Sequence, residues 1–197
     1  YMKKYITPVL FMTYLGAKPK GRNTEQHDWF FSIGDSINDI IPEIKIFWPE
    51  AAKTKKFHID SYRQVTYEKG YIIYLEPRIE EDKNLAHEWR PFFINLGGYK
   101  KDVAGEFHYP DLYIAENKQS AIEMAKQTAF FQHTGYEGAP SHIDDKYGIG
   151  VDDLYDIEDM LPKEVRKNYR IRIIKATGKC LKDEIYSGFQ LLSKFEK

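Results

Sequence analysis

Near-continuous apolar runs closed by glycine occur twice in this chain. Val9 to Leu15 ends at Gly16, and Phe92 to Leu96 ends at Gly97, the pattern of a strand buried on both faces. A second strand is expected at Trp29 to Ile33 and again at Asp111 to Ala115. Behind it, Ile37, Ile40, Ile41, Ile44, Phe47 and Trp48 recur at helical spacing, as Ala121, Ile122, Ala125 and Ala129 do later. Pro42 fits a first helical turn, which favours Asp39 over Ser36 as the N-cap. Two more strands are expected at Phe57 to Val65 and Tyr71 to Leu75, with counterparts near Ser141 to Tyr147 and Tyr169 to Ile174.

The two patterns also align residue by residue. Phe11-Met12-Thr13-Tyr14-Leu15-Gly16 matches Phe92-Phe93-Ile94-Asn95-Leu96-Gly97, 81 positions on, and the same offset carries Lys20 to Lys101, Glu25 to Glu106, His27 to His108 and Lys45 to Lys126. His58-Ile59-Asp60 meets His142-Ile143-Asp144 after a three-residue insertion, and a further insertion falls within Gly148 to Lys167. Self-similarity of this kind predicts a tandem duplication. The expected fold is α+β, two β-β-α-β-β copies (residues 9–76 and 90–175) forming an intramolecular pseudo-twofold dimer with mainly antiparallel sheet. Residues 77–89 read as a polar connector. Residues 176–197 read as a helical tail, from the spacing of Leu181, Ile185, Phe189 and Leu192 against the breaker Gly188. Each copy alone is small, so a shared sheet or core within one compact unit is expected.

Composition narrows the functional classes. With 42% hydrophobic and 15% aromatic residues the chain can bury a core without staples. Lys plus Arg (29) nearly balance Asp plus Glu (30), so no global field draws the chain to nucleic acid or to an anionic membrane. Cys180 is the only cysteine, which excludes an intrachain disulfide and a cysteine-based zinc site. The apolar stretch near the N-terminus is broken by Pro8, is too short to span a bilayer and lacks a small-residue cleavage site. A cytoplasmic protein, monomer or homodimer, is the expectation.

Candidate chemistry lies in pairs two residues apart, a spacing that puts both side chains on one face of a strand. Glu25 with His27 and His58 with Asp60 recur as Glu106 with His108 and His142 with Asp144. Two imidazoles and two carboxylates suit zinc, manganese or iron, or general acid/base work. They equally suit structural hydrogen bonding between strands, and the pairs are expected to serve that role, too far apart to share an ion, with no metal or cofactor. Gly16 with Lys18, and Gly97 with Gly98, are candidate anion-binding turns, although neither matches a phosphate-loop or dinucleotide fingerprint. No Gly-x-Ser-x-Gly elbow is present, and the acidic run from Asp152 to Asp159 lacks the calcium-loop pattern.

The run from Leu15-Gly16 through Glu25 and His27-Asp28 to His58-Ile59-Asp60-Ser61 and Gly70-Tyr71 resembles the mainly bacterial domain-of-unknown-function family with serial number 1543. Phe93 to Tyr99, Glu106, His108 and His142 to Asp145 resemble it again in the second copy. Copy one departs with Ala17-Lys18 where copy two has Gly98-Tyr99. The resemblance implies no activity, substrate or cofactor. An interaction or ligand-binding module is therefore the leading expectation, and a metal-dependent or acid/base enzyme using the repeated pairs is the alternative.

Overall fold

The structure, a computed structural model, describes residues 8–79, 88–143, 154–178 and 182–195, without the side chains of 142 and 143. In chain order the first elements are β1 (Val9–Ala17), β2 (Gln26–Gly34), α1 (Ile41–Phe47), α2 (Pro49–Ala52), β3 (His58–Val65), β4 (Tyr67–Glu68) and β5 (Tyr71–Pro77). Next come β6 (Arg90–Gly98), β7 (Phe107–Ala115), α3 (Lys118–Lys126), α4 (Ala129–His133), β8 (Gly135–Tyr136), β9 (Ala139–Pro140) and β10 (His142–Ile143). The last are β11 (Leu154–Asp156), α5 (Ile157–Met160), α6 (Lys163–Asn168), β12 (Tyr169–Lys175) and β13 (Ile185–Leu191). The architecture is mixed helix and strand, and among the described residues every strand pairing is antiparallel. Among the described residues no helix is long and apolar enough to cross a membrane.

The chain divides into two compact units, Tyr1–Glu80 with Met160–Lys197, and Glu81–Asp159. In the first, a sheet has the order β13-β3-β1-β2. Phe11, Leu15 and Ala17 of β1 face one way, into a core with Phe30, Ile40, Ile41, Ile44, Ala51 and Ile59. Burial of this apolar surface holds α1 and α2 on that face. A smaller sheet, β12-β5-β4, completes the unit, and β5 meets β12 with Tyr74 opposite Arg172.

In the second unit β6 is central, pairing β7 on one side and β10 and β11 on the other. Phe92, Ile94 and Leu96 pack with Tyr113, Ala121, Ala125 and Leu154. Asn117 caps α3, its Oδ1 accepting from the Ser120 amide at 2.9 Å. Beneath β6, Asp156 is buried and ion-paired with Arg90. Desolvation nonetheless raises the Asp156 pKa, only partly opposed by the Glu158 amide and by Arg90.

Two local expectations need correction. The tail is not the expected helix over residues 185–191, which form β13 and pair with β3, followed by a 3-10 turn at Leu192–Lys194. Apolar residues four apart serve a strand as well as a helix, and two tertiary demands choose the strand. The outer edge of β3 needs hydrogen bonds, and Asp183 anchors the segment by accepting from Thr66 N (2.8 Å), Thr66 Oγ1 (2.5 Å) and Tyr67 N (2.9 Å). Gly188 supplies a bulge at φ 133°. Asp39, in turn, is not an N-cap. A 3-10 turn at Ile37–Ile40 precedes α1, and Asp39 reaches back to accept from the Ser36 amide at 2.8 Å, with Pro42 in the first turn of α1 as expected.

Candidate metal centre

Strand order brings the pairs Glu25 with His27 and His58 with Asp60 together. β1 lies between β2 and β3, and Gly16 is the register partner of both His27 in β2 and His58 in β3. A glycine there leaves a gap on the sheet face opposite the helices, and the flanking side chains fill it. A Cβ at position 16 would stand 2.4 Å from His58 Nε2 and 2.7 Å from Asp60 Oδ2. The β1–β3 register shifts between Leu15, opposite Ile59, and Tyr14, opposite Ser61, so Asp60 is the bulged residue, and bulges re-aim side chains in this way.

One ligand atom from each of Glu25, His27, His58 and Asp60 lies within 4.8 Å of all the others. His27 Nε2 is 3.3 Å from Glu25 Oε1 and 3.2 Å from Asp60 Oδ2. His58 Nε2 is 3.7 Å from Glu25 Oε1 and 3.3 Å from Asp60 Oδ1. The expectation that the two pairs stand apart is thus corrected: Glu25 at the entry to β2 and the bulged Asp60 turn toward the histidines, and the missing side chain at Gly16 leaves the space in which they meet.

His58 is fully buried, and its orientation is set from behind. Nδ1 lies 2.6 Å from the Lys56 carbonyl; a carbonyl only accepts, so Nδ1 carries a proton and Nε2 is the ring nitrogen turned to the cluster. Neither Nε2 nor Asp60 Oδ2 has a hydrogen-bond partner of acceptable geometry, despite their nearness to opposite members of the cluster. The His58 ring packs at 4.0 Å on Phe189, carried by the β13 bulge. On the other side Tyr14 stacks on His27 at 5.1 Å and touches Trp29 at 4.6 Å. Burial raises the Tyr14 pKa, helped by the Asp60 and Asp28 carboxylates, so the phenol stays protonated.

In the second unit, His108 in β7 and His142 in β10 both flank Gly97 of β6, as His27 and His58 flank Gly16. His108 Nε2 is 3.8 Å from Glu106 Oε2. The His108 Nδ1 is 3.2 Å from Asn95, which precedes Gly97 by two residues as Tyr14 precedes Gly16. Asp144 and the His142 side chain lie outside the described residues.

The anion-binding turns are corrected too. Gly16, Gly97 and Gly98 lie inside strands, and the Gly16 and Gly97 backbones are engaged on both sides, which leaves no nest of amides. Lys18 is exposed just past β1. At Gly98 a Cβ would meet Thr134 Cγ2 at 2.6 Å, so that glycine is there for close packing. Phe189 and the Lys56 carbonyl were not foreseen as parts of the site, because nothing local in sequence ties either to His58. The glycine that recurs at positions 16 and 97 was the available signal for the gap.

The fold and cluster define a small α+β protein with a two-histidine, two-carboxylate cluster on an antiparallel sheet. A family model described as Domain of Unknown Function (DUF1543) matches residues 22–75, a stretch containing all four cluster residues, and supports that family there. No curated protein matches the chain. Among solved structures, the crystal structure of a protein Il1583 from Idiomarina loihiensis is similar over 94% of this chain and 98% of that one, with TM-score 0.54 and 22% identity, a likeness of fold alone.

Proposed function

We propose that the first unit binds a divalent transition-metal ion through Glu25, His27, His58 and Asp60. The observation that carries this reading is the spacing of the donors. Four ligands held tetrahedrally at about 2.0–2.2 Å from a metal stand roughly 3.3–3.6 Å from one another. The histidine-to-carboxylate separations, to one or the other Asp60 oxygen, run from 3.2 to 3.7 Å, and with one donor atom per residue all separations are within 4.8 Å. Lone pairs of nitrogen and oxygen converging at such distances repel unless a cation or a proton lies among them. The Lys56 carbonyl fixes the His58 ring with Nε2 turned to the cluster, as backbone carbonyls do for metal-ligating histidines. Mixed imidazole and carboxylate donors suit zinc, manganese or iron.

Side-chain exposures of 44% for Glu25, 33% for His27 and 30% for Asp60 leave the centre open to solvent on one side, so an exogenous ligand has access to the ion. The proposal departs from the sequence expectation of structural pairs without a metal, and takes up the metal that the sequence offered only under the alternative reading. The identical register of the β1–β2 and β6–β7 hairpins supports its origin by tandem duplication. Val9 opposite Gly34 becomes Arg90 opposite Ala115, and Ala17 opposite Gln26 becomes Gly98 opposite Phe107.

Metal analysis of protein purified without a histidine tag tests the reading. At least one equivalent of metal is expected, with the His27→Ala/His58→Ala variant losing one equivalent. Protein that is isolated metal-free and takes up no Zn²⁺, Mn²⁺ or Fe²⁺ by calorimetry would overturn it.

A further inference from the structure

A second feature lies on the opposite side of β2. His27 faces the gap at Gly16, whereas Gln26 and Asp28 are the register partners of Ala17 and Leu15, residues that face the helices. On that side a cleft of 560 Å³ opens between the β1–β2 loop and the segment from Trp48 to Lys53. Lys20 and Arg22 reach it from the loop, flanking Gly21 at φ 85°, and Lys53 reaches it from just past α2. None of these three cations forms an ion pair among the described residues.

Two acidic residues, Asp28 and Glu50, also line the cleft. Asp28 Oδ1 is already engaged, accepting from the Trp29 amide at 2.7 Å. Three cations and two carboxylates line the cleft, a formal excess of one positive charge in a chain whose formal charge is only -1, and the carboxylates form no ion pair with these cations among the described residues. A bound anion balances that excess and takes charge-assisted hydrogen bonds from the guanidinium and ammonium groups. Trp48, edge-on to Phe57 at 5.7 Å, adds a firm apolar wall.

We propose that this cleft is a binding site for a phosphate group, free or at the end of a small molecule, held by Lys20, Arg22 and Lys53. Phosphate carries up to two negative charges near neutral pH, which two or three unpaired cations match. The site is distinct from the metal centre, although His27 borders both, and it stands whether or not the cluster holds an ion.

The test is calorimetric titration with inorganic phosphate and, separately, pyrophosphate, at matched ionic strength in chloride, on both chelator-treated and zinc-loaded protein. Saturable binding is expected in the chelator-treated protein, tighter for pyrophosphate. Lys20→Gln/Arg22→Gln/Lys53→Gln should weaken it at least about tenfold, and Lys20→Arg/Lys53→Arg should retain it. Lys126→Gln, in the other unit, should leave it unchanged. If the triple variant does not unfold cooperatively, each single variant should still weaken binding about threefold. Absence of saturable binding beyond the chloride control, or binding undiminished in the triple or single variants, overturns the proposal. Binding confined to the zinc-loaded protein also overturns it, since that would place the phosphate on the metal.

Discussion

A Cβ placed on Gly16 would stand 2.4 Å from Nε2 of His58, so the middle-strand glycine and the buried imidazole compete for one space. His58 cannot swing aside, because Lys56 holds its Nδ1 and Phe189 covers its ring. Gly16→Ala is therefore expected to cost about 1–3 kcal/mol by overpacking and to weaken metal binding at least about tenfold. Equilibrium denaturation and zinc titration measure the two effects. A variant with wild-type affinity would show that the gap is not needed for the cluster.

His58→Ala leaves the Lys56 carbonyl without its donor and opens a cavity in the sheet face. A loss of about 1–3 kcal/mol is expected in the presence of chelator, where metal cannot contribute. Urea midpoints compare the two proteins, and an unchanged midpoint would contradict the buried, hydrogen-bonded position described for this ring.

Binding to the folded state alone stabilises it by mass action. At metal concentrations about 100 times Kd, the wild-type protein should gain about 2.7 kcal/mol over the chelated form, and His58→Ala should gain none. Thermal scans with zinc, manganese and chelator check this, and equal gains in both proteins would locate the binding elsewhere.

Tyr14 lies between His27 and Trp29, in contact with both rings. Tyr14→Phe keeps the stacking and should change metal affinity less than about threefold, whereas Tyr14→Ala removes two ring contacts each contributing about 0.5–1.5 kcal/mol. The alanine variant is expected to lose both stability and affinity. Equal behaviour of the two variants would argue that the ring does not hold His27.

Glu43 bonds the buried hydroxyl of Ser32, and burial raises its carboxyl pKa above 4.5, partly opposed by that bond. A folded-state value above the unfolded one means that folding favours the protonated form. The contribution is therefore complete below pH 4.5 and is lost as pH rises through the folded value. Glu43→Gln keeps an acceptor for Ser32 without the desolvated charge. The variant should gain on the wild type as pH rises from about 4.5 to 7, read as the difference in unfolding free energy across that range; a constant difference would refute it.

The parts of this protein legible in the chain are those set by neighbours in sequence. The buried runs at Val9 and Phe92 became β1 and β6, and the apolar spacing behind them became α1 and α3, because period 3.6 and burial on both faces are local properties. The spacing of Glu25 with His27 and of His58 with Asp60 singled out the four residues that come together, although Glu25 precedes β2 and Asp60 sits in a bulge, so the pleat alone does not place them.

Tertiary structure decided the rest. Residues 185–191 pair as a strand because β3 offers an open edge and Asp183 has backbone donors at Thr66 and Tyr67, partners more than a hundred residues away. The convergence of the cluster has the same kind of cause. Whether His27 meets His58 depends on β1 lying between their strands and on the residue it presents there, and hydrogen bonding across a sheet joins residues irrespective of their distance along the chain. Spacing within each pair was encoded locally; the four-residue site exists because Gly16, opposite both histidines, leaves the space in which they meet.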